Sequence, residues 1–121
     1  MIYEDDDIIL EWEASEIPWI KIFTREPFRE LTECPDALRG KLWRVYEIVE
    51  RAMIEYFSPY KINMASFGNY LPRVHIHVMA RFENDSFFPE PMWGEKQRDG
   101  SYTMPSRAPF EKMVRKRLKA V

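Results

Sequence analysis

With 121 residues, 45% of them hydrophobic and 31% charged, the chain has the size and balance of one ordinary globular domain. A formal net charge of −2 excludes a chain that binds polyanions by its overall field, so any anion site must rest on local groups. The one cysteine, Cys34, excludes an intrachain disulfide and a cysteine-built metal cluster, and the apolar runs are too short to span a bilayer.

Charge is unevenly placed. Residues 1–16 carry seven acids and no base, whereas residues 107–121 carry six bases and one acid. The two ends are therefore expected to pair with each other or across a dimer. An acidic N-terminus without the basic start of a signal peptide, together with one reduced cysteine, leads us to expect a cytoplasmic protein with no membrane partner.

In chain order, Ile8 to Trp12 is a short apolar strand candidate and Glu13 to Pro18, with Ser15 and Pro18, a turn. Trp19 to Thr24 is β-branched and aromatic, a second strand. Pro27 to Glu33 reads as a connector. Then the period changes: Leu38, Leu42, Val45, Val49, Ala52, Met53 and Tyr56 fall at steps of three and four. This predicts an amphipathic helix from Pro35 to Phe57, with Pro35 at its first position and Ser58-Pro59 ending it. Lys61 to Ser66 is a third strand, Phe67 to Tyr70 a turn, and Val74 to Phe82 a fourth strand with clear alternation. Residues 83–107 are rich in Pro, Gly and charge, hence loop. Phe110, Met113, Val114 and Leu118 make a C-terminal helix with a basic face. The order predicts an α+β fold in one domain, residues 1–121: an antiparallel sheet of about five strands, four of them placed above, with helices on one side.

The chemistry concentrates on the fourth strand. The only two histidines, His75 and His77, are two residues apart and so share a face, with Arg73 beside them. Val74, Ile76 and Val78 are expected to pack under the helix while the histidine face looks outward into a groove. Imidazole serves near neutral pH as nucleophile, acid, base or anion donor. Upstream, Gly68 permits close backbone approach and Asn69 offers an amide, so a phosphate could sit between this turn and the imidazoles. Asn63, alternating with Ile62 and Met64, is a candidate for the same groove. His-x-His also supplies two metal ligands, but no third stands out, and neither a metal nor a cofactor is expected. The four Trp and Ile20 and Ile22 read more simply as core than as a base pocket.

The run Gly68-Asn69-Tyr70-Leu71-Pro72-Arg73-Val74-His75-Ile76-His77-Val78 resembles the signature of the histidine triad (HIT) superfamily, His-φ-His-φ-His-φ-φ preceded by a Gly-Gln-Ser/Thr turn. Ile17-Pro18-Trp19, Ile62-Asn63-Met64, Arg81-Phe82 and Phe88-Pro89-Glu90-Pro91-Met92-Trp93-Gly94 resemble further segments of a bacterial subgroup of short HIT proteins. The resemblance implies nucleotide hydrolysis or nucleotidyl transfer at the α-phosphate of a purine nucleotide or nucleoside phosphate conjugate. It implies His75 as the attacking histidine, His77 as a phosphate holder, Asn69 in place of the turn's Gln, no metal in the covalent step, and a two-fold homodimer. Arg73 stands where the first histidine of the triad would be, and Tyr70 where a Ser or Thr often serves the leaving group. These departures touch catalysis more than phosphate binding. A nucleotide or phosphate sensor is therefore kept as an alternative, as is a dimeric interaction protein using residues 107–121. The ordinary account of that basic helix is a solvated face whose Phe110, Met113 and Leu118 pack on the body, and nucleic acid is not an expected partner.

Overall fold

A computed structural model describes residues 1–121. It contains β1 (Tyr3–Glu4), β2 (Ile8–Trp12), β3 (Trp19–Thr24), a single 3-10 turn (Leu31–Glu33), α1 (Asp36–Phe57), β4 (Lys61–Ala65), β5 (His75–Arg81) and α2 (Ala108–Leu118). The strands form one antiparallel sheet in the order β1-β2-β3-β5-β4, so the histidine strand lies inside the sheet and β4 is an edge. No helix is long and apolar enough to cross a membrane.

The strand without a sequence signal is β1, whose two residues are too few to show alternation. It is set by the turn that follows. Asp5 accepts hydrogen bonds through Oδ1 from the N–H groups of Asp7 (2.8 Å) and Ile8 (3.0 Å), the Asx geometry that folds the chain back on itself. Lys41 of α1 reaches Asp5 and Asp7, both at 2.8 Å, and Arg25 reaches Glu4 at 2.6 Å. The N-terminal carboxylates thus pair with Lys41, with Arg25 and, through Glu11 and Glu13, with Lys21, and not with cations of the basic tail. The two ends meet through other groups, Arg115 Nε donating to the Ile2 carbonyl at 2.7 Å and Trp12 Nε1 to Glu111 at 2.8 Å, while Arg117 pairs with Glu55 at 2.7 Å.

Helix α1 follows its predicted stripe, burying Leu42, Val45, Tyr46, Val49, Ala52, Met53 and Phe57. Pro35 is the residue before the first helical position, one place earlier than expected, and its carbonyl receives the N–H groups of Leu38 and Arg39. Ser58 ends the helix in the left-handed conformation, φ 49°. The buried residues of α1 share one hydrophobic core with Ile8 and Leu10 of β2, Ile20 and Ile22 of β3, and Val78 and Ala80 of β5. Each fully buried side chain of this kind contributes about 1.5–3 kcal/mol before chain entropy is set against it. Ile20 and Ile22 are therefore core, as the simpler reading had them. Helix α2 adds Phe110, Val114 and Leu118 to the same core.

One expectation changes. Strand β5 is buried on both faces, not on one. The face opposite α1 carries His75, His77 and Met79, and the long segment 83–107 folds back beside it, bringing Trp93 within 5.0 Å of the His77 ring. The groove into which the histidine face was expected to look is thus partly walled, and the histidines at its base are only 7% and 8% exposed.

Candidate active site

Sheet register builds the site. Phe23 pairs with His75, Lys21 with His77, and Ala65 with His77 on the other side, so all of these project from one face. The groove above them holds about 470 Å3, a volume in the range of small-ligand sites. His75, His77, Phe23 and Lys21 line its floor, Glu13 and Trp93 its sides, and Phe67 to Leu71 its rim.

The two imidazoles are held differently. His75 Nδ1 lies 2.8 Å from the Arg73 carbonyl oxygen. A carbonyl only accepts, so Nδ1 carries the proton and Nε2 keeps its lone pair. The His75 ring is further fixed by stacking on Phe23, with centroids 5.1 Å apart and an interplanar angle of 21°. His77 Nδ1 receives the indole N–H of Trp19 at 3.0 Å. Burial, then the neighbouring His75, hold the His77 pKa down at about 4, against a smaller upward pull from Glu13. The rings meet edge to face, 4.9 Å between centroids.

The rim comes from the turn before β5. Gly68 adopts φ +79°, a conformation that L side chains rarely take, which explains the glycine. None of the N–H groups of Gly68, Asn69, Tyr70 and Leu71 is spent on a backbone carbonyl, so the rim offers donors to an anion. Asn69 lines the groove with an exposed side chain. Tyr70 also lines it, yet its side chain is fully exposed and stands out into solvent.

Arg73 is not in the groove lining. Its guanidinium donates to the carbonyl of Thr24 and lies over the Phe23 ring, 5.1 Å from the centroid. Arg73 thus packs on the same Phe23 ring that stacks on His75. Asn63 shares the histidine face but is spent on structure: its Oδ1 accepts from Arg81 Nη1 at 2.9 Å, and it does not line the groove. The sequence placed both residues on the correct face, but strand alternation cannot show which side chains are claimed by neighbours.

Groove residues that sequence reasoning did not single out include Glu13, Lys21, Phe23 and Trp93. Lys21 and Phe23 are brought in by register, and Glu13 follows β2 with its N–H on the Trp19 carbonyl at 2.8 Å; Lys21 Nζ lies 3.5 Å from both Glu11 and Glu13. Trp93 is brought in by the loop and packs edge-on against Trp19 (5.1 Å) and Phe67 (4.8 Å) as well as His77. Only the Phe-Pro-x-Pro-φ-Trp-Gly resemblance hinted at it. No group of three or more His, Cys, Asp or Glu side chains is placed to hold a metal ion.

The architecture is an α+β one, a five-stranded antiparallel sheet under one long helix, with a His-x-His strand aimed into a groove rimmed by free backbone N–H groups. A family model described as the HIT domain matches residues 1–84, and the chain belongs to that family of nucleotide-binding hydrolases and nucleotidyl transferases. Among solved structures, a histidine triad protein from Marinobacter aquaeolei is similar at 26% identity and TM-score 0.77, covering 98% of this chain and 88% of that one. Histidine triad proteins from Sinorhizobium meliloti (22%, TM-score 0.76, 93% and 84% covered) and Bradyrhizobium japonicum (23%, TM-score 0.70, 93% and 91% covered) share the fold. A comparison with curated protein sequences gives no match.

Proposed function

We propose that the protein binds a nucleoside phosphate in this groove and cleaves a bond to its α-phosphorus through a nucleotidyl-His75 intermediate. The observation that carries this reading is the bond between His75 Nδ1 and the Arg73 carbonyl, which leaves Nε2 as an oriented lone pair. Nε2 attacks phosphorus, the P–Nε2 bond forms, and the bond to the leaving group breaks with the leaving group taking its electron pair. Water then attacks phosphorus and gives up a proton, which balances through solvent the one taken up by the departed leaving group; the P–Nε2 bond breaks, its electron pair returns to Nε2, and a nucleoside monophosphate leaves with His75 restored. His77, Asn69 and the rim N–H groups hold the non-bridging oxygens as charge builds.

The test is incubation of the protein with adenosine phosphoramidate and diadenosine polyphosphates. AMP release with a mass increase of one nucleotidyl group on His75, both lost in His75→Ala, is the expected result. Normal turnover in His75→Ala overturns the reading. The solvent-facing Tyr70, standing where a leaving-group hydroxyl is usual in the family, supports a second reading, a nucleotide sensor; calorimetric binding without AMP or adduct would select it.

The unpaired edge of β4, with Met64 exposed beside it, supports the expected homodimer: a second copy could add its own β4 to the sheet. A monomer by light scattering at working concentration would remove that part of the reading.

A further inference from the structure

The two imidazoles of the groove receive opposite partners, and the second partner is itself a side chain. Trp19 opens β3 directly after Pro18, pairs with Met79, and so projects on the histidine face. Its indole is almost wholly buried, 9% exposed, and its N–H ends on His77 Nδ1 at 3.0 Å. An indole nitrogen only donates. The nitrogen it meets must therefore carry a lone pair, and in the neutral ring the proton is on Nε2. A doubly protonated His77 would set N–H against N–H between two rings that are both more than nine-tenths buried, so the contact also disfavours the imidazolium.

We propose that Trp19 is a positioning residue that fixes His77 as the neutral Nε2–H tautomer, making it an obligate hydrogen-bond donor to the bound phosphate and never a second nucleophile or base. Backbone and side chain divide the labour. The Arg73 carbonyl makes His75 the lone-pair bearer, and the Trp19 indole makes His77 the donor. The charged and titratable groups around His77 do not reverse this. Lys21, on the neighbouring strand, and His75, on its own strand, oppose protonation of the ring, and Glu13 favours it less strongly than burial disfavours it. The other neighbours of the ring, Trp93 at 5.0 Å and Phe67 at 6.4 Å between centroids, are uncharged aromatics. The catalytic consequence rests on the reading given under Proposed function; the tautomer does not.

The experiment is two-bond 1H–15N correlation spectroscopy on the full chain labelled at histidine and tryptophan nitrogens. In the wild type at pH 7, His77 is expected as the Nε2–H form, with a coupling through the hydrogen bond between indole Nε1 and His77 Nδ1. His77 found as the Nδ1–H form, or no such coupling, overturns the proposal without any variant being needed. In Trp19→Phe, which keeps an aromatic ring and removes the N–H, His77 is expected to populate both tautomers and to titrate closer to its ordinary value. An unchanged tautomer and titration would also overturn it. With substrate, Trp19→Phe should lower kcat about tenfold to hundredfold, the scale of one lost transition-state donor. It should also add a pH dependence that the wild type lacks. In a His77→Gln background, where an amide donates without titrating, Trp19→Phe should lose that effect; an equal loss in both backgrounds would show that the indole only packs. Absence of all turnover leaves the spectroscopic outcome standing, so the two readings fail separately.

Discussion

The Asp85 carboxylate grips the Arg81 guanidinium with two oxygens, Oδ2 to Nε at 2.9 Å and Oδ1 to Nη2 at 3.1 Å, and neither side chain is more than 2% exposed. The same carboxylate accepts the N–H groups of Phe82, Phe87 and Phe88 at 3.1, 3.0 and 2.8 Å. Burial opposes its charge, and the guanidinium and these three N–H groups outweigh burial, keeping its pKa below the usual carboxylate range. The pair anchors the segment that carries Trp93 to the end of the histidine strand. Removing one partner of a buried ion pair leaves the other uncompensated. Asp85→Ala is thus expected to cost about 3–5 kcal/mol in urea unfolding. Any nucleotide turnover that survives should show a raised KM before a lowered kcat, because the groove wall loosens while His75 keeps its carbonyl. Unfolding within about 0.5 kcal/mol of wild type would mean that the pair is dispensable.

The sequence placed the long helix, four of the five strands and both histidines, because each rests on local periodicity or on a two-residue spacing. What it could not show is which groups the fold spends before a ligand arrives. Arg73, Asn63 and His77 lie on one face by alternation, but Arg73 is tied to the Thr24 carbonyl, Asn63 to Arg81, and His77 Nδ1 to Trp19. Those partners lie 49, 18 and 58 residues away in the chain, beyond the reach of any local pattern. The wall formed by Trp93 had the same cause: a loop without periodicity is placed by a buried ion pair whose partners look, in sequence, like surface charges.

Arg73 gives a prediction about placement, not phosphate contact. Its guanidinium joins the end of β3 to the start of β5 and covers one face of Phe23, while His75 stacks on that ring. Arg73→Met keeps the apolar stem and loses the bonds to the carbonyl. It should lower kcat about tenfold with nucleotide affinity nearly unchanged, since a misplaced nucleophile loses orientation before binding. A large loss of affinity at constant kcat would instead make Arg73 a phosphate ligand.

Groove charge predicts the substrate form. Lys21 is the only Lys or Arg lining the groove, and it lies 3.5 Å from two glutamates, Glu11 and Glu13. A single esterified phosphate suits that balance; a polyphosphate chain adds anions with no further cation to meet them. Adenosine phosphoramidate should therefore be turned over with a kcat/KM at least about tenfold above that of diadenosine polyphosphates, equivalent to about 1.4 kcal/mol. Glu13→Gln should narrow the gap. Equal rates for the two substrates would refute the charge argument.

The basic tail is part of the body. Phe110, Val114 and Leu118 are all but fully buried, and Trp12 Nε1 donates to Glu111 at 2.8 Å. Deleting residues 107–121 should unfold the protein or strip several kcal/mol from it, roughly 2–5 kcal/mol for each large core side chain lost. It cannot serve as a selective test of partner binding. Lys112→Glu with Lys116→Glu, on the solvated face, should leave stability within about 0.5 kcal/mol and nucleotide turnover unchanged. A stability loss much larger than that would show that these cations make contacts beyond the solvated face.

Acid stability should report His77. Its folded pKa of about 4 lies below its ordinary 6.5, chiefly because burial disfavours the charged ring and secondly because His75 does. Between those two values the unfolded chain holds a proton that the folded chain does not, so stability rises with pH across that window. The contribution is fully present above about 6.5 and is lost progressively as pH falls through about 4, below which both states are protonated. A shift of this size is worth at most about 3 kcal/mol. Urea unfolding from pH 7 to pH 4 should show that decline in the wild type, and His77→Gln, which cannot take up the proton, should flatten most of it. Parallel curves for the two proteins would mean that His77 titrates in the folded protein as it does in the unfolded chain, and the Trp19 contact would then have no hold on its charge.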